Sequence, residues 1–130
     1  MPAMTPTQLP ALTALVPMLH VASVARTVAF YQRLGFQPGT TFTPPGEAEP
    51  SFAWLQSGGA SLMVVRAGAP IDPAQQAVIL TLYCEDVPAF RGALEAAGVA
   101  VGALTYPAER PRGRFRLTDP DGYDLAVTHT

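Results

Sequence analysis

Lysine is missing from this sequence altogether, and all eight basic residues are arginine. That absence removes Schiff-base chemistry and a lysine general base from the reactions available to the chain. A single cysteine, Cys84, excludes an internal disulfide. Charge is scarce, at 14% of residues and a formal net value of -2. No global positive field exists to draw in nucleic acid or an anionic membrane surface, so neither is expected as a partner. Nothing approaches the run of about 18 apolar residues that spans a bilayer. The first residues also lack the basic region and unbroken apolar stretch of a secretory signal, which makes the cytoplasm the expected compartment.

Apolar residues, by contrast, make up 48% of the 130 positions, enough to fill the interior of one domain and too short a chain for two. Residues 1–13 hold three prolines and no hydrophobic period, and read as a flexible N-terminal arm. Residues 14–130 read as a single domain. Within it, residues 14–21 are an apolar run, a strand despite Pro17. Ser23 is placed to cap a helix whose apolar stripe is Val24, Val28 and Tyr31, and Gly35 ends it. Residues 39–51 form a loop around one short strand at 40–43. Strands at 52–56 and 60–66 then flank Ser57-Gly58-Gly59, the pattern of a tight hairpin.

The same order begins again at residue 78. A β-branched strand runs over 78–84, Asp86 caps a helix with Pro88 in its first turn, and the helix continues through 90–97 to Gly98. A hairpin closes the chain, with strands at 114–118 and 123–128 around Asp119-Pro120-Asp121-Gly122. Ser23 with Asp86, Val24 with Val87, Gly35 with Gly98, Gly59 with Gly122 and Leu62 with Leu125 are each 63 positions apart. Two modules, at about 14–67 and 78–130, are therefore copies of one unit.

The run from Val28 to Phe36, with its Phe30-Tyr31 and Leu34-Gly35-Phe36, resembles the helix ending of the vicinal-oxygen-chelate superfamily, which includes glyoxalases, bleomycin resistance proteins and extradiol dioxygenases. Glu85-Asp86-Val87 and the terminal Asp119-Pro120-Asp121-Gly122-Tyr123 add to the resemblance, which covers residues 14–130. It implies an α+β fold in which two βαβββ modules form curved mixed sheets around a cavity, and a homodimer. In metal-dependent members, histidine and glutamate on the first and last strand of each module hold a divalent ion that acts as a Lewis acid. Carried over residue by residue, those positions are Val16, Met63, Ile79 and Ala126. None offers imidazole or carboxylate, so no metal and no cofactor are expected, and no catalytic residue is assigned.

The cavity side of the strands includes Val16, Met18, His20, Met63, Val65, Ile79, Thr81, Tyr83, Asp124 and Ala126. His20, Trp54, Met63, Tyr83, Arg114, Arg116 and Asp124 are the expected ligand-binding residues. Arg110, Arg112, Arg114 and Arg116 alternate and would share one face of an extended segment, offering guanidinium forks to a carboxylate or phosphate, or simply a charged face at a sheet edge. His129 falls on the opposite face at a frayed terminus and is set aside. The resemblance closest to metal-free bleomycin-resistance members implies a small-molecule binding protein, with antibiotics among its ligand classes, rather than an enzyme. A glyoxalase-like lyase or dioxygenase with a displaced metal site using His20, helped by Asp124, is the alternative. A purely partner-binding unit is the third.

Overall fold

Short polar caps and paired turns decide where each element of this chain starts and stops. The Ser23 hydroxyl accepts from the Arg26 amide at 3.2 Å and opens helix α1 (Val24–Arg33), and the Asp86 carboxylate accepts from the Ala89 amide at 3.0 Å and opens helix α2 (Val87–Ala96). Both side chains satisfy amide groups that the first helical turn leaves without partners. The computed structural model describes residues 9–130. Of the arm expected over 1–13, residues 1–8 lie outside the described residues.

The strands are β1 (Met18–Val21), β2 (Gln37–Phe42), β3 (Phe52–Ser57), β4 (Ala60–Arg66), β5 (Ile79–Tyr83), β6 (Phe115–Thr118) and β7 (Asp124–Thr128). They form one sheet in the order β1-β4-β3-β2 and another in the order β5-β7-β6. In each sheet the first strand runs parallel to the last one of its module, β1 with β4 and β5 with β7, and the other neighbours are antiparallel. The α+β arrangement with mixed sheets is thus the one the resemblance implies.

Two strands depart from their expected bounds by more than one residue at an end. The first begins at Met18 rather than at residue 14, because Pro17 has no amide proton to enter the ladder; only its carbonyl takes part, accepting from the Met63 amide at 2.9 Å. The strand expected at 40–43 is instead β2 at Gln37–Phe42, with an irregularity between Pro38 and Thr41. In the second module the strand that would correspond to β2 shrinks to a single bridge between Thr105 and Arg114, joined by the Gly102 amide donating to the Arg116 carbonyl at 2.7 Å.

One contiguous apolar cluster runs through both halves. It takes Leu19, Val21, Leu55 and Val64 from the first sheet, Val24 and Tyr31 from α1, Val87 and Leu94 from α2, and Phe115, Leu125 and Val127 from the second sheet. Each such side chain contributes roughly 1.5–3 kcal/mol of transfer free energy when fully buried. A buried polar seam is set into this cluster. The Asp-Pro-Asp-Gly turn closes with the Gly122 amide donating to the Asp119 carbonyl at 3.0 Å, as a type I turn does. Its two carboxylates then reach into the first module. Asp121 accepts from the Ala22 amide at 3.1 Å and from the Thr27 hydroxyl at 3.4 Å, and the Tyr123 hydroxyl donates to the His20 carbonyl at 3.0 Å. The turn that the sequence presents as a hairpin end is therefore also the tie between the two modules, set against the start of α1, where a negative charge is favourable.

Candidate functional site

Strand alternation separates two sets of side chains in the first sheet. Leu19, Val21, Ala53, Leu55, Leu62 and Val64 are buried in the core, while Met18, His20, Phe52, Trp54, Met63 and Val65 point the other way and are exposed or half-buried. The register brings the expected residues of this sheet together, since Met63 lies opposite both Met18 on β1 and Trp54 on β3, and His20 lies opposite Val65. The Trp54 indole rests beside Gly39, where an added methyl group would stand 3.4 Å from it. This is an apolar, aromatic surface with the exposed His20 imidazole at its edge.

The second sheet repeats the register with different chemistry. Thr81 lies opposite Ala126 and Tyr83 opposite Thr128, so Thr81 takes the place of Met18 and Tyr83 that of His20. On the neighbouring strand Arg116 lies opposite Ala126 where Trp54 lies opposite Met63, because the second hairpin holds one residue more between its paired positions. Arg114, two residues earlier, correspondingly takes the place of Phe52. The Arg116 guanidinium donates to the Asp124 carboxylate at 2.9 Å, Arg114 pairs with Glu109 at 3.5 Å, and Arg110 lies over the Tyr83 ring at 5.9 Å.

Two concavities among the described residues bear on the expected side chains, while a third, of about 490 Å³, opens beside Cys84, Glu85, Arg112 and Thr130. One, of about 230 Å³, sits on the second sheet and is lined by Ile79, Tyr83, Arg110, Arg114 and Arg116. The other, of about 320 Å³, lies between the modules and is lined by Leu34, Phe36, Leu82, Tyr83, Cys84 and Phe90. Of the expected binding residues, Tyr83, Arg114 and Arg116 line the first, Asp124 is held beside it by Arg116, and Tyr83 reaches both. His20, Trp54 and Met63 line neither, and stand together on the other sheet. Burial, and secondarily the charge of Asp86, push the Cys84 thiol above its ordinary pKa, so it stays protonated and is a poor nucleophile.

Two expectations about the terminal segment need correcting. Arg112 does not share a face with the other arginines: the chain turns at residues 111–112 and passes through Gly113, at φ +112°, which swings Arg112 toward the C-terminus. There its amide donates to His129 Nε2 at 3.0 Å and its guanidinium to the Thr130 carbonyl at 3.0 Å. His129 is accordingly not frayed but buried, at 5% exposure. The Arg112 guanidinium also stands 3.0 Å from His129 Nδ1, so both ring nitrogens face donors of the same residue.

The profile of the Glyoxalase/Bleomycin resistance protein/Dioxygenase superfamily matches residues 13–127. The chain belongs to that superfamily. Its structure is similar to that of a bleomycin-binding protein crystallised with bleomycin, at a TM-score of 0.73 and 23% identity over 92% of this chain and 99% of the other. It is also similar to TnmS3, an antibiotic-binding protein from Streptomyces sp. CB03234, at 0.69 and 21% over 92% and 98%. A third likeness, at 0.67 and 12% over 92% and 93%, is to the fosfomycin resistance protein FosX from Listeria monocytogenes, crystallised with Mn(II). At these identities the likenesses establish the fold. No curated protein sequence matches the chain.

Within the superfamily a divalent ion is the implied resident group, and the residues here do not fit one. Val16, Met63, Ile79 and Ala126 stand at the positions carried over from metal-dependent members, offering aliphatic carbon and one thioether to a cation that favours oxygen and imidazole. Among the described residues no three histidine, cysteine, aspartate or glutamate side chains converge. His20 and Asp124 belong to different sheets, and the Asp124 carboxylate is engaged by Arg116.

Proposed function

We propose that this protein binds a small organic molecule, antibiotics included, and sequesters it without transforming it and without a resident metal. The observation that carries the reading is the chemistry of Val16, Met63, Ile79 and Ala126, which replaces a ligand set by apolar side chains while the fold around them is kept. What remains on the outward sheet faces is material for binding: the flexible thioethers of Met18 and Met63, the flat surface of Trp54, and the phenol of Tyr83. Neighbours described as binding bleomycin or an antibiotic support the same class of function.

A homodimer completes the proposal. Met18, Ile79 and Tyr83 are 46%, 53% and 54% exposed, an unusual amount of apolar strand surface for an isolated chain. A second copy covering these faces would remove them from water and enclose the concavities. Action in the cytoplasm is part of the same proposal, which the single cysteine, without a partner in the chain for a disulfide, accords with.

The test uses the purified protein and a chemically diverse ligand library. A native-state ligand is expected to raise the melting temperature in proportion to the logarithm of its concentration, and to change the emission of Trp54, the only tryptophan. Trp54→Phe is expected to weaken a planar ligand about tenfold, the scale of one aromatic contact. Elemental analysis is expected to find no stoichiometric metal, and sedimentation a mass twice the 13.7 kDa of one chain. Turnover of a glyoxalase or dioxygenase substrate that depends on added nickel, zinc, manganese or ferrous iron would overturn the reading.

A further inference from the structure

The arginine cluster on the second sheet is more than a binding reading requires. Arg110, Arg114 and Arg116 converge on one concavity of about 230 Å³ whose other walls include Ile79, Thr81 and Tyr83. The carboxylates facing them are Asp124, 2.9 Å from Arg116, and Glu109, 3.5 Å from Arg114. Among the described residues no carboxylate stands within ion-pair distance of Arg110, which is held over the Tyr83 ring instead. Three guanidinium groups against two carboxylates leave the pocket with an excess of positive charge. Both pairs are substantially exposed, with side-chain exposures of 38% and 65% for one and 46% and 44% for the other, so solvent screens them and an incoming oxyanion can exchange for either.

The simpler explanation, that arginines guard an open sheet edge against stray pairing, does not fit the backbone. The edge of β6 is already occupied. Thr105 exchanges two hydrogen bonds with Arg114, at 2.8 and 2.9 Å, and the Gly102 amide donates to the Arg116 carbonyl at 2.7 Å. That segment approaches so closely that a methyl group on Gly102 would sit 2.8 Å from the Arg116 carbonyl oxygen. An edge covered in this way has no exposed ladder for charge to protect. The internal repeat points the same way, because Arg114 and Arg116 stand where the first module has Phe52 and Trp54. The two copies of one unit therefore present opposite chemistries from equivalent places, one aromatic and one cationic.

We propose that the Arg110, Arg114 and Arg116 pocket binds the anionic group, a carboxylate or phosphate, of a small organic ligand with an apolar body. The proposal rests on the small-molecule reading above and adds the charge of the molecule to it. Guanidinium forks match the paired oxygens of either anion, Arg110 is the arm without a carboxylate to displace, and Ile79 with the Tyr83 ring receives the adjoining carbon skeleton.

The experiment compares 2-naphthoate, 2-naphthyl phosphate, neutral 2-naphthamide, 2-naphthylmethylammonium and inorganic phosphate by titration calorimetry on the full chain. The two naphthyl anions are expected to bind at least about tenfold more tightly than the amide, and to weaken as salt rises from about 50 to about 500 mM. Arg110→Gln and Arg114→Gln are each expected to lower anion affinity about tenfold and leave the amide unchanged, with folding checked by circular dichroism. Which naphthyl anion binds more tightly distinguishes a carboxylate ligand from a phosphate one. Should the amide or the ammonium compound bind as well as the anions, or inorganic phosphate alone bind as well as naphthyl phosphate, the assignment is wrong while the small-molecule reading stands. If none of the five binds and the wider library also gives nothing, the small-molecule reading itself has failed. The salt dependence is read on the unmodified protein, so the test holds even if a variant misfolds.

Discussion

The phenol of Tyr31, near the end of α1, donates to the carboxylate of Asp119 at 2.9 Å across 88 positions of sequence, with both groups buried. Asp119 turns its other oxygen to the amides of Asp121 and Tyr123, each at 2.9 Å, so one carboxylate holds the final turn in shape and fixes it to the first module. Burial, reinforced by the negative charge of Asp119, drives the Tyr31 pKa far above its ordinary value, which keeps the phenol a donor throughout the working range of pH.

Removing that donor leaves a buried carboxylate oxygen with no partner. Tyr31→Phe is expected to cost about 1–3 kcal/mol in urea-induced unfolding and to lower the melting temperature by several degrees, with the far-ultraviolet spectrum unchanged. A loss indistinguishable from zero would mean that water replaces the phenol at this site.

Asp119 also gives stability a pH dependence of defined sign. Desolvation raises its pKa above the ordinary aspartate value, outweighing the three hydrogen bonds from Tyr31, Tyr123 and Asp121 that favour the ionised form. The folded state therefore holds its proton to higher pH than the unfolded state does. The resulting contribution is fully present below the unfolded pKa and is lost as pH rises through the folded one. Unfolding free energies measured at successive pH values should show that decline in the wild type relative to Asp119→Asn, which has no proton to lose. A difference between the two proteins that grows in the wild type's favour over this interval would reverse the assignment.

Gly122 and Gly58 make a controlled pair. Both have positive φ, +88° and +54°, but a methyl group on Gly122 would stand 2.5 Å from the Pro73 carbonyl oxygen, whereas one on Gly58 meets nothing within 4 Å. Gly58→Ala is expected to cost about 1 kcal/mol, the backbone term alone. Gly122→Ala carries the same term plus displacement of the segment around Pro73, and is expected to cost at least about 2 kcal/mol more. Equal losses in denaturant titrations would show that this segment yields without resistance.

Added divalent ions are expected to leave the melting temperature where it was. A native-state site with a Kd of about 10 μM, saturated with about 1 mM ion, would stabilise by about 2.7 kcal/mol, an effect a calorimetric scan resolves easily. Nickel, zinc, manganese and ferrous iron should each fall well short of it.

Much of the architecture was legible in the residues because local chemistry enforces it. Ser23 and Asp86 cap helices wherever they stand before an amphipathic run, and Gly58-Gly59 closes a two-residue turn between Ser57 and Ala60 as the glycine pair implies. The spacing of 63 likewise survives as register, since Met18 opposite Met63 and Thr81 opposite Ala126 are the same pairing made twice. Less visible were features set by contacts distant in sequence. Nothing near Thr27 announces that its hydroxyl meets Asp121, and the burial of His129 depends on a turn at 110–113 that the alternation of the arginines does not reveal. The candidate site was legible residue by residue but not as a whole: His20, Trp54 and Met63 are expected around one cavity with Tyr83, Arg114 and Arg116, and the sequence contains no measure of how far apart the faces of the two modules stand.

The division of strands such as β3 and β4 into an inward and an outward series has a consequence for how the surface can change without the fold. Residues such as Leu55, Val64, Leu125 and Val127 specify assembly, and their strand neighbours Trp54, Met63 and Asp124 are partly open to the surface. Since the two series occupy alternate places on one backbone, a single exchange in the outward series can change the surface while leaving the packing that holds the fold, and the two modules can vary in this way separately.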